Sequence, residues 1–146
     1  MFSFSERPGK VDIYLTSELE NIDLAGNVAQ RFVSREGMLK EWFSVLLVFR
    51  EALTNAVVHG SARDPEKKIR CGLAVKGDSL WITVEDQGPG FDWRVRLGRE
   101  KPNPAAVKGR GLAVMKEYFD EIFYNERGNK IVLVKRIRPE IRRGYG

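Results

Sequence analysis

The hydrophobic residues of this chain change their period twice, and the order of these changes limits the folds it can adopt. Apolar and polar residues alternate over residues 10–16, as they do in a half-buried strand. Over residues 17–58 the apolar residues recur at helical spacing, which predicts two helices that meet near Gly37. Alternation then returns on both sides of Gly77 and Asp78, a pair suited to a two-residue hairpin loop. This part of the chain therefore predicts a strand, two helices and a hairpin, and the strand should lie at a sheet edge or beside one.

Each predicted helix carries an apolar face that would pack on the sheet. Ser17 and Glu20 form a capping-box signature, so the first helix is expected to start there. The second helix is predicted over about residues 39–58. The predicted core residues of the two helices are Ile22, Ala25, Val28, Ala29 and Phe32, followed by Leu46, Phe49, Leu53, Ala56 and Val57.

The second half of the chain opens with a long irregular stretch. Residues 88–107 show no sustained period, and loops of this length in compact domains are commonly lids or binding loops. A third helix is predicted over about residues 111–119, and then two strands within residues 121–137 that a turn at 127–129 connects. The whole order predicts an α+β fold, a two-layer sandwich in which three main helices cover one face of a mixed, mostly antiparallel sheet.

Length and cysteine content give the expected organisation and compartment. A chain of 146 residues is expected to form one domain, with a core over about residues 11–137 and a basic tail at 138–146. The single cysteine, Cys71, cannot form an intrachain disulfide, and no cysteine and histidine cluster suggests a structural metal. No apolar run approaches the ~20 residues that span a bilayer, and no signal peptide is visible. We therefore expect a cytoplasmic protein without a membrane partner.

The positive charge of the chain is concentrated near its end. Lys and Arg total 25 against 20 Asp and Glu, a net charge of +5, and part of the excess lies in KRIRPEIRRGYG at residues 135–146. A solvated terminus is the simpler interpretation, and contact with nucleic acid or an acidic partner is the alternative. Because no RNA- or DNA-binding motif accompanies the charge, nucleic acid is not expected as a partner.

Three polar residues share one side of the second predicted helix. In EALTNAVVHG, Glu51, Asn55 and His59 follow one another at i, i+4 spacing. A carboxylate can deprotonate an attacking hydroxyl, and an amide oxygen is a suitable ligand for Mg²⁺. The spacing alone is equally typical of an ordinary amphipathic helix with a solvated polar face.

Two glycine-rich segments follow, one after a strand and one before a helix. In DQGPGFD, Asp86 can accept a hydrogen bond from an exocyclic amine, and Gly88 and Gly90 allow a ligand to approach the main chain closely. A plain turn explains the same residues. In KGRGLAVMKEYF, Gly109 and Gly111 stand where the free amides of a helix can hold phosphate, although helix initiation explains them as well.

Together and in this order, the three segments resemble the Bergerat-type ATP-binding domain. This domain is shared by gyrase-like ATPases, heat-shock chaperone ATPases, sensor histidine kinases and anti-sigma serine kinases. The helix with Glu51 and Asn55 resembles the N-box of that family, and DQGPGF and GRGL resemble its two glycine boxes. The resemblance extends from about Val11 to Ile137. Within the superfamily, the chain resembles the anti-sigma regulatory kinases in its small size and in the segment EALTNAVVHG.

The resemblance implies a role for each matching position. Glu51 would be the general base toward a serine of a protein substrate, Asn55 would hold Mg²⁺, and Asp86 would bind adenine. The remaining positions are implied as contacts to the ATP cofactor. These further positions are His59, Gly88, Gly90, Lys108, Gly109, Arg110, Gly111 and Leu112. Lys108 and Arg110 could neutralise phosphate charge as a lid closes, and solvated loop charge explains them equally well. For His59 the alternative is a histidine at a helix end that bonds to the main chain.

The resemblance also implies partners and leaves one alternative function open. An anti-anti-sigma protein of the STAS type would be the phosphorylated partner, a sigma factor or comparable regulator would be sequestered, and a homodimer is possible. The alternative is a nucleotide-gated binding module with little or no kinase activity. The family often has threonine after the glycine of the final hairpin, whereas this chain reads Gly128, Asn129 and Lys130. A water-bridged contact from that position to adenine is therefore not implied.

Overall fold

A computed structural model gives the fold of this chain for residues 1–61, 64–88 and 109–137. Six strands form one sheet in the order β1-β2-β3-β4-β6-β5, and every pairing between these strands is antiparallel. The predicted α+β fold is confirmed. The strands are β1 (Phe2–Arg7), β2 (Lys10–Thr16), β3 (Lys68–Lys76), β4 (Ser79–Glu85), β5 (Glu121–Tyr124) and β6 (Lys130–Arg136).

Three α-helices in the described residues supply the second layer. They are α1 (Leu19–Arg35), α2 (Trp42–Asn55) and α3 (Gly109–Tyr118). A 3-10 turn at Leu39–Glu41 precedes α2, and a π turn at Ala56–Gly60 follows it. None of the helices in the described ranges is long and apolar enough to cross a bilayer.

The core lies between the helices and one face of the sheet. Val11, Leu73, Ile82 and Leu133 occupy matching positions on four neighbouring strands, and all four are almost fully buried. Alternation on each strand therefore places one apolar row against the helices. Nine of the ten predicted helical core residues are buried, and Leu46 is half-buried.

The first strand and the first helix cap differ from the prediction. Sequence patterning did not predict β1, which pairs with β2 at the sheet edge, so β2 lies beside an edge as expected. The capping box was wrong, because Ser17 is fully buried and its hydroxyl donates to the carbonyl of Val57, 3.2 Å away. Glu18 is the N-cap residue of α1 instead. Ser17 thus connects the start of α1 to the end of α2.

The end of α2 is a π turn, where the sequence predicts continued α-helix to about residue 58. The amide of Ser61 donates to the carbonyl of Ala56 at 2.8 Å, five residues earlier, which closes this wider turn. Such turns are frequent at functional sites, because they change the direction of the side chains that follow. Here the turn carries His59 and Gly60, which face the end of β4.

Candidate functional site

A pocket opens where the end of α2, the end of β4 and the β5–β6 turn meet. It measures about 580 Å³ including its open mouth, within the usual range for small-molecule sites. The apolar residues that line it are buried in the protein core: Ala52, Ala56, Val84, Met115 and Ile131. The polar lining residues are Asn55, His59, Asp86, Tyr124, Asn129 and Lys130. An apolar cavity with a few polar groups suits a flat heterocycle that carries hydrogen-bonding edges.

Asp86 lies against two glycines at the end of this pocket. One of its carboxylate oxygens, Oδ1, accepts the N–H of Gly88 at 2.7 Å. A Cβ atom on Gly60 would overlap the Asp86 carboxylate, and one on Gly88 would overlap the carbonyl of Gly60. A side chain at Gly60 would displace the Asp86 carboxylate, and one at Gly88 would displace the main chain of Gly60, so both positions favour glycine.

The pKa of the Asp86 carboxyl is raised above its ordinary value, chiefly because the group is partly buried. The Gly88 N–H and the charge of Arg127 act in the opposite direction, and Glu85 adds a smaller upward shift. Burial therefore outweighs the two groups that favour the charged form. A partly buried carboxylate with a raised pKa that lines a pocket is a candidate for binding a ligand.

The second glycine box meets the polar side of α2. A Cβ atom on Gly111 would lie 2.8 Å from Oε2 of Glu51 and 3.5 Å from Nδ2 of Asn55. The first turn of α3 therefore lies directly beside these two side chains, close enough that a larger residue would displace Glu51. Since the free amides of a helix start attract anions, the start of α3 is a candidate anion site next to a carboxylate and an amide.

A known protein family matches most of this sequence. The profile of the family described as "Histidine kinase-like ATPase domain" matches residues 15–135, most of the chain. The chain belongs to that family. The observed α+β fold and the meeting of all three segments agree with this assignment.

Several relatives are named "Anti-sigma F factor". The protein of Clostridium perfringens is 28% identical over 136 residues, which cover 88% of this chain and 96% of the relative. That of Anoxybacillus flavithermus is 27% identical over 124 residues, covering 82% and 84%. That of Geobacillus kaustophilus is 25% identical over 126 residues, covering 83% and 86%. The resemblance to anti-sigma factors is thereby confirmed over most of the chain, and this ATPase domain is a nucleotide-binding one.

The structure brings most of the predicted site residues of the ATPase domain together. Asn55, His59 and Asp86 line the pocket, and His59 is exposed at its rim. Glu51 lies one helical turn before Asn55, outside the pocket lining. Leu112 is buried in the hydrophobic core, so its side chain packs on protein.

The other predicted positions lie in or beside the second glycine box. Gly109 and Arg110 form the start of α3, and Gly111 follows them. Gly90 and Lys108 lie outside the described residues, so their predicted roles stay predictions.

Six residues of the β5–β6 turn region belong to the site and were not predicted as site residues, and Gly128 and Lys130 are two of those that line the pocket. Tyr124 and Asn129 line the pocket, Arg127 donates to the carbonyl of Gly88 at 2.8 Å, and Asn125 donates to Asn129 at 2.7 Å. In the sequence these residues are only typical of a turn. The available signal was the asparagine at position 129, where the resembling family often has threonine.

The contact between Gly60 and Asp86 predicts a stability effect. Gly60→Ala is expected to lower the free energy of unfolding by about 1–3 kcal/mol, because the added methyl group overlaps a partly buried carboxylate. Gly26→Ala is a matched control, since its Cβ would lie 3.1 Å from the mobile end of Arg50 and alanine favours helix by up to about 1 kcal/mol. Urea unfolding of both variants measures the difference. Equal stability of the two variants would contradict the described packing.

Proposed function

We propose that this ATPase domain is a serine/threonine protein kinase of the anti-sigma type. It binds Mg-ATP, transfers the γ-phosphoryl group to a STAS-type anti-anti-sigma partner and sequesters a sigma factor or comparable regulator. The observation that carries this proposal is the close approach of Gly111 to Glu51 and Asn55, which leaves no room for a side chain there. It puts a helix start beside the proposed base and the proposed metal ligand. The relatives named anti-sigma F factors support the sigma-factor part.

Asp86 and the buried apolar residues of the pocket suit the adenine base. The exocyclic amine of adenine is a donor, and Asp86 has a carboxylate oxygen besides the one that binds Gly88. The side chains of Val84, Met115 and Ile131 offer apolar surface to the ring. From this end of the pocket the triphosphate would extend toward the start of α3, whose amides favour anions.

Asn55 is suited to bind magnesium through its side-chain amide oxygen. In the described ranges no three His, Cys, Asp or Glu residues cluster in a way that could hold a metal. Mg²⁺ commonly takes only one or two protein ligands and completes its shell with waters and substrate phosphates, so one amide oxygen beside the phosphate site is sufficient. The bound ion would neutralise charge on the phosphates.

Glu51 is the base of the proposed transfer. Its carboxylate takes the proton of the attacking serine or threonine hydroxyl, while the hydroxyl oxygen forms a bond to the γ-phosphorus. The bond between that phosphorus and the β,γ-bridging oxygen breaks, and ADP leaves. Because Gly111 has no side chain, the glutamate can remain next to the helix start where the phosphates would lie.

Incubation with γ-labelled ATP, Mg²⁺ and STAS-type proteins of the same genome tests the proposal. We expect label on a serine or threonine of one such protein, identified by mass spectrometry, and a complex with a sigma factor that the unphosphorylated STAS protein dissociates. ATP binding without transfer to any of these proteins would contradict the kinase and indicate a nucleotide-gated binding module.

A further inference from the structure

We infer that Asn125 and Asn129 are positioning residues that hold Asp86 in the orientation that selects adenine. Neither residue needs to contact the base, because both act through the main chain at the end of β4. This inference rests on the proposed use of Asp86 in ATP binding, and it assigns base selectivity to the β5–β6 turn.

Asn125 organises the turn and orients its neighbour. Its Oδ1 accepts three main-chain N–H groups, those of Gly128 at 2.8 Å, Asn129 at 3.0 Å and Lys130 at 3.2 Å. Its Nδ2 donates to Oδ1 of Asn129 at 2.7 Å. One side chain therefore both closes the turn and sets which atom of the Asn129 amide faces it.

Asn129 binds the main chain of Asp86 from two directions. Its Nδ2 donates to the carbonyl of Asp86 at 2.7 Å, and its own carbonyl accepts the N–H of Asp86 at 2.9 Å. The residue is 9% exposed, so water does not readily replace these bonds. If the amide were reversed, its oxygen would face the Asp86 carbonyl, and its nitrogen would face Nδ2 of Asn125. The bond from Asn125 thus maintains the donor that Asp86 needs.

A third hydrogen bond from the β5–β6 turn holds Gly88, the residue whose N–H orients the Asp86 carboxylate. Arg127 donates to the carbonyl of Gly88 at 2.8 Å, and the N–H of Gly88 binds Oδ1 of Asp86 at 2.7 Å. The β5–β6 turn therefore holds the end of β4 at the Asp86 N–H, the Asp86 carbonyl and the Gly88 carbonyl. The second carboxylate oxygen is left in a fixed position relative to the pocket.

A fixed carboxylate discriminates between purines for a simple reason. At corresponding ring positions adenine presents an amine donor and guanine a carbonyl acceptor, so an immobile carboxylate binds the first and repels the second. A carboxylate that can turn away loses the bond to adenine. Sites built on a buried hydrogen bond reject analogues strongly only while the bonding group stays in place.

The variant that separates this role from simple folding is Asn125→Asp. A carboxylate keeps acceptors for the three N–H groups of the turn but cannot donate to Asn129, whose amide is then expected to reverse and leave the Asp86 carbonyl without its donor. We expect the affinity for ATP to fall about tenfold, while the affinity for GTP stays the same or rises because the repulsion is relieved. The dissociation constant for GTP divided by that for ATP should therefore fall by about tenfold or more. Asn27→Asp, at an exposed position of α1, is the matched control for the added charge.

Calorimetry with ATP and GTP on the wild type and the variants, with thermal unfolding alongside, gives the answer. Asn129→Ala, which removes the donor directly, is expected to lower the same ratio, and this ratio is independent of the phosphate charge that both nucleotides share. If the wild type binds no ATP, the proposed function fails. If the wild type prefers ATP and both variants keep its ratio, or if the wild type binds ATP and GTP equally, the positioning role is overturned and the proposed function stands.

Discussion

Replacing Glu51 by glutamine is expected to slow phosphoryl transfer by a factor of about 10²–10⁴ while the affinity for ATP changes little. Glutamine has nearly the same volume, so the contact with Gly111 is preserved, but its amide cannot take the proton of the attacking hydroxyl. Initial rates of label transfer to the partner protein, together with calorimetric ATP affinities, measure the two effects separately.

Glu117→Gln is the matched control for that experiment. Glu117 is exposed on α3, so the same chemical change there should leave both the rate and the affinity at wild-type values. An unchanged transfer rate in Glu51→Gln would show that another group acts as the base. A parallel loss of ATP affinity would instead assign Glu51 to nucleotide binding.

Asp86→Asn is expected to weaken ATP binding about 100-fold while making the protein without nucleotide more stable. The Gly88 N–H requires an acceptor at Oδ1, so the amide nitrogen of the new residue would face the donor amine of adenine. The gain in stability follows from the raised pKa of Asp86, since burial makes the ionised carboxylate unfavourable in the folded state and an amide avoids that penalty.

The pH dependence of this variant has a definite sign. The folded-state pKa of Asp86 lies above the unfolded one, so its contribution to wild-type stability is fully present at low pH and is lost as the pH rises through the folded pKa. The stability advantage of Asp86→Asn should therefore be largest at neutral pH and shrink as the pH falls through the pKa of Asp86. ATP binding by the wild type should weaken over the same range, because a protonated carboxyl is a poorer acceptor.

Thermal unfolding between pH 4 and pH 8, with calorimetry at each pH, checks both expectations. Asp78→Asn, at an exposed position of the β3–β4 turn, removes the same charge and should change neither quantity appreciably. An Asp86→Asn protein that is less stable than the wild type at neutral pH, or that binds ATP equally well, would contradict the assigned role of Asp86.

Sequence patterning predicted the fold where one face of an element is buried. The alternation over β2, β3 and β4 and the apolar faces of α1 and α2 were sufficient, because burial dictates these patterns. The edge strand β1 was not predicted, because none of its residues is fully buried and it therefore has no buried apolar row. Its partner β2, in contrast, buries every second residue. Ser17 fits a cap equally well in sequence, and only the tertiary contact with Val57 determines its actual role.

The sequence predicted those residues of the candidate site whose side chains have an obvious chemical role, but not the residues that position them. Asp86 was found because a carboxylate stands directly after a strand, and the spacing of Glu51 and Asn55 indicated one helical side. The positioning of Asp86 by Asn125 and Asn129 was not predictable, because it depends on hydrogen bonds that side chains of the β5–β6 turn make to each other and to the main chain of Asp86, 43 positions before Asn129. The π turn that brings Gly60 against Asp86 likewise has no periodic signal of its own.

A crystal structure of this protein with ADP and Mg²⁺ would show whether the three segments form one nucleotide site. We expect the adenine amine on the Asp86 carboxylate, the phosphates at the start of α3 beside Gly111, and the metal ion on Asn55. A nucleotide bound at another surface, or one in this pocket with its adenine turned away from Asp86, would contradict the proposed site.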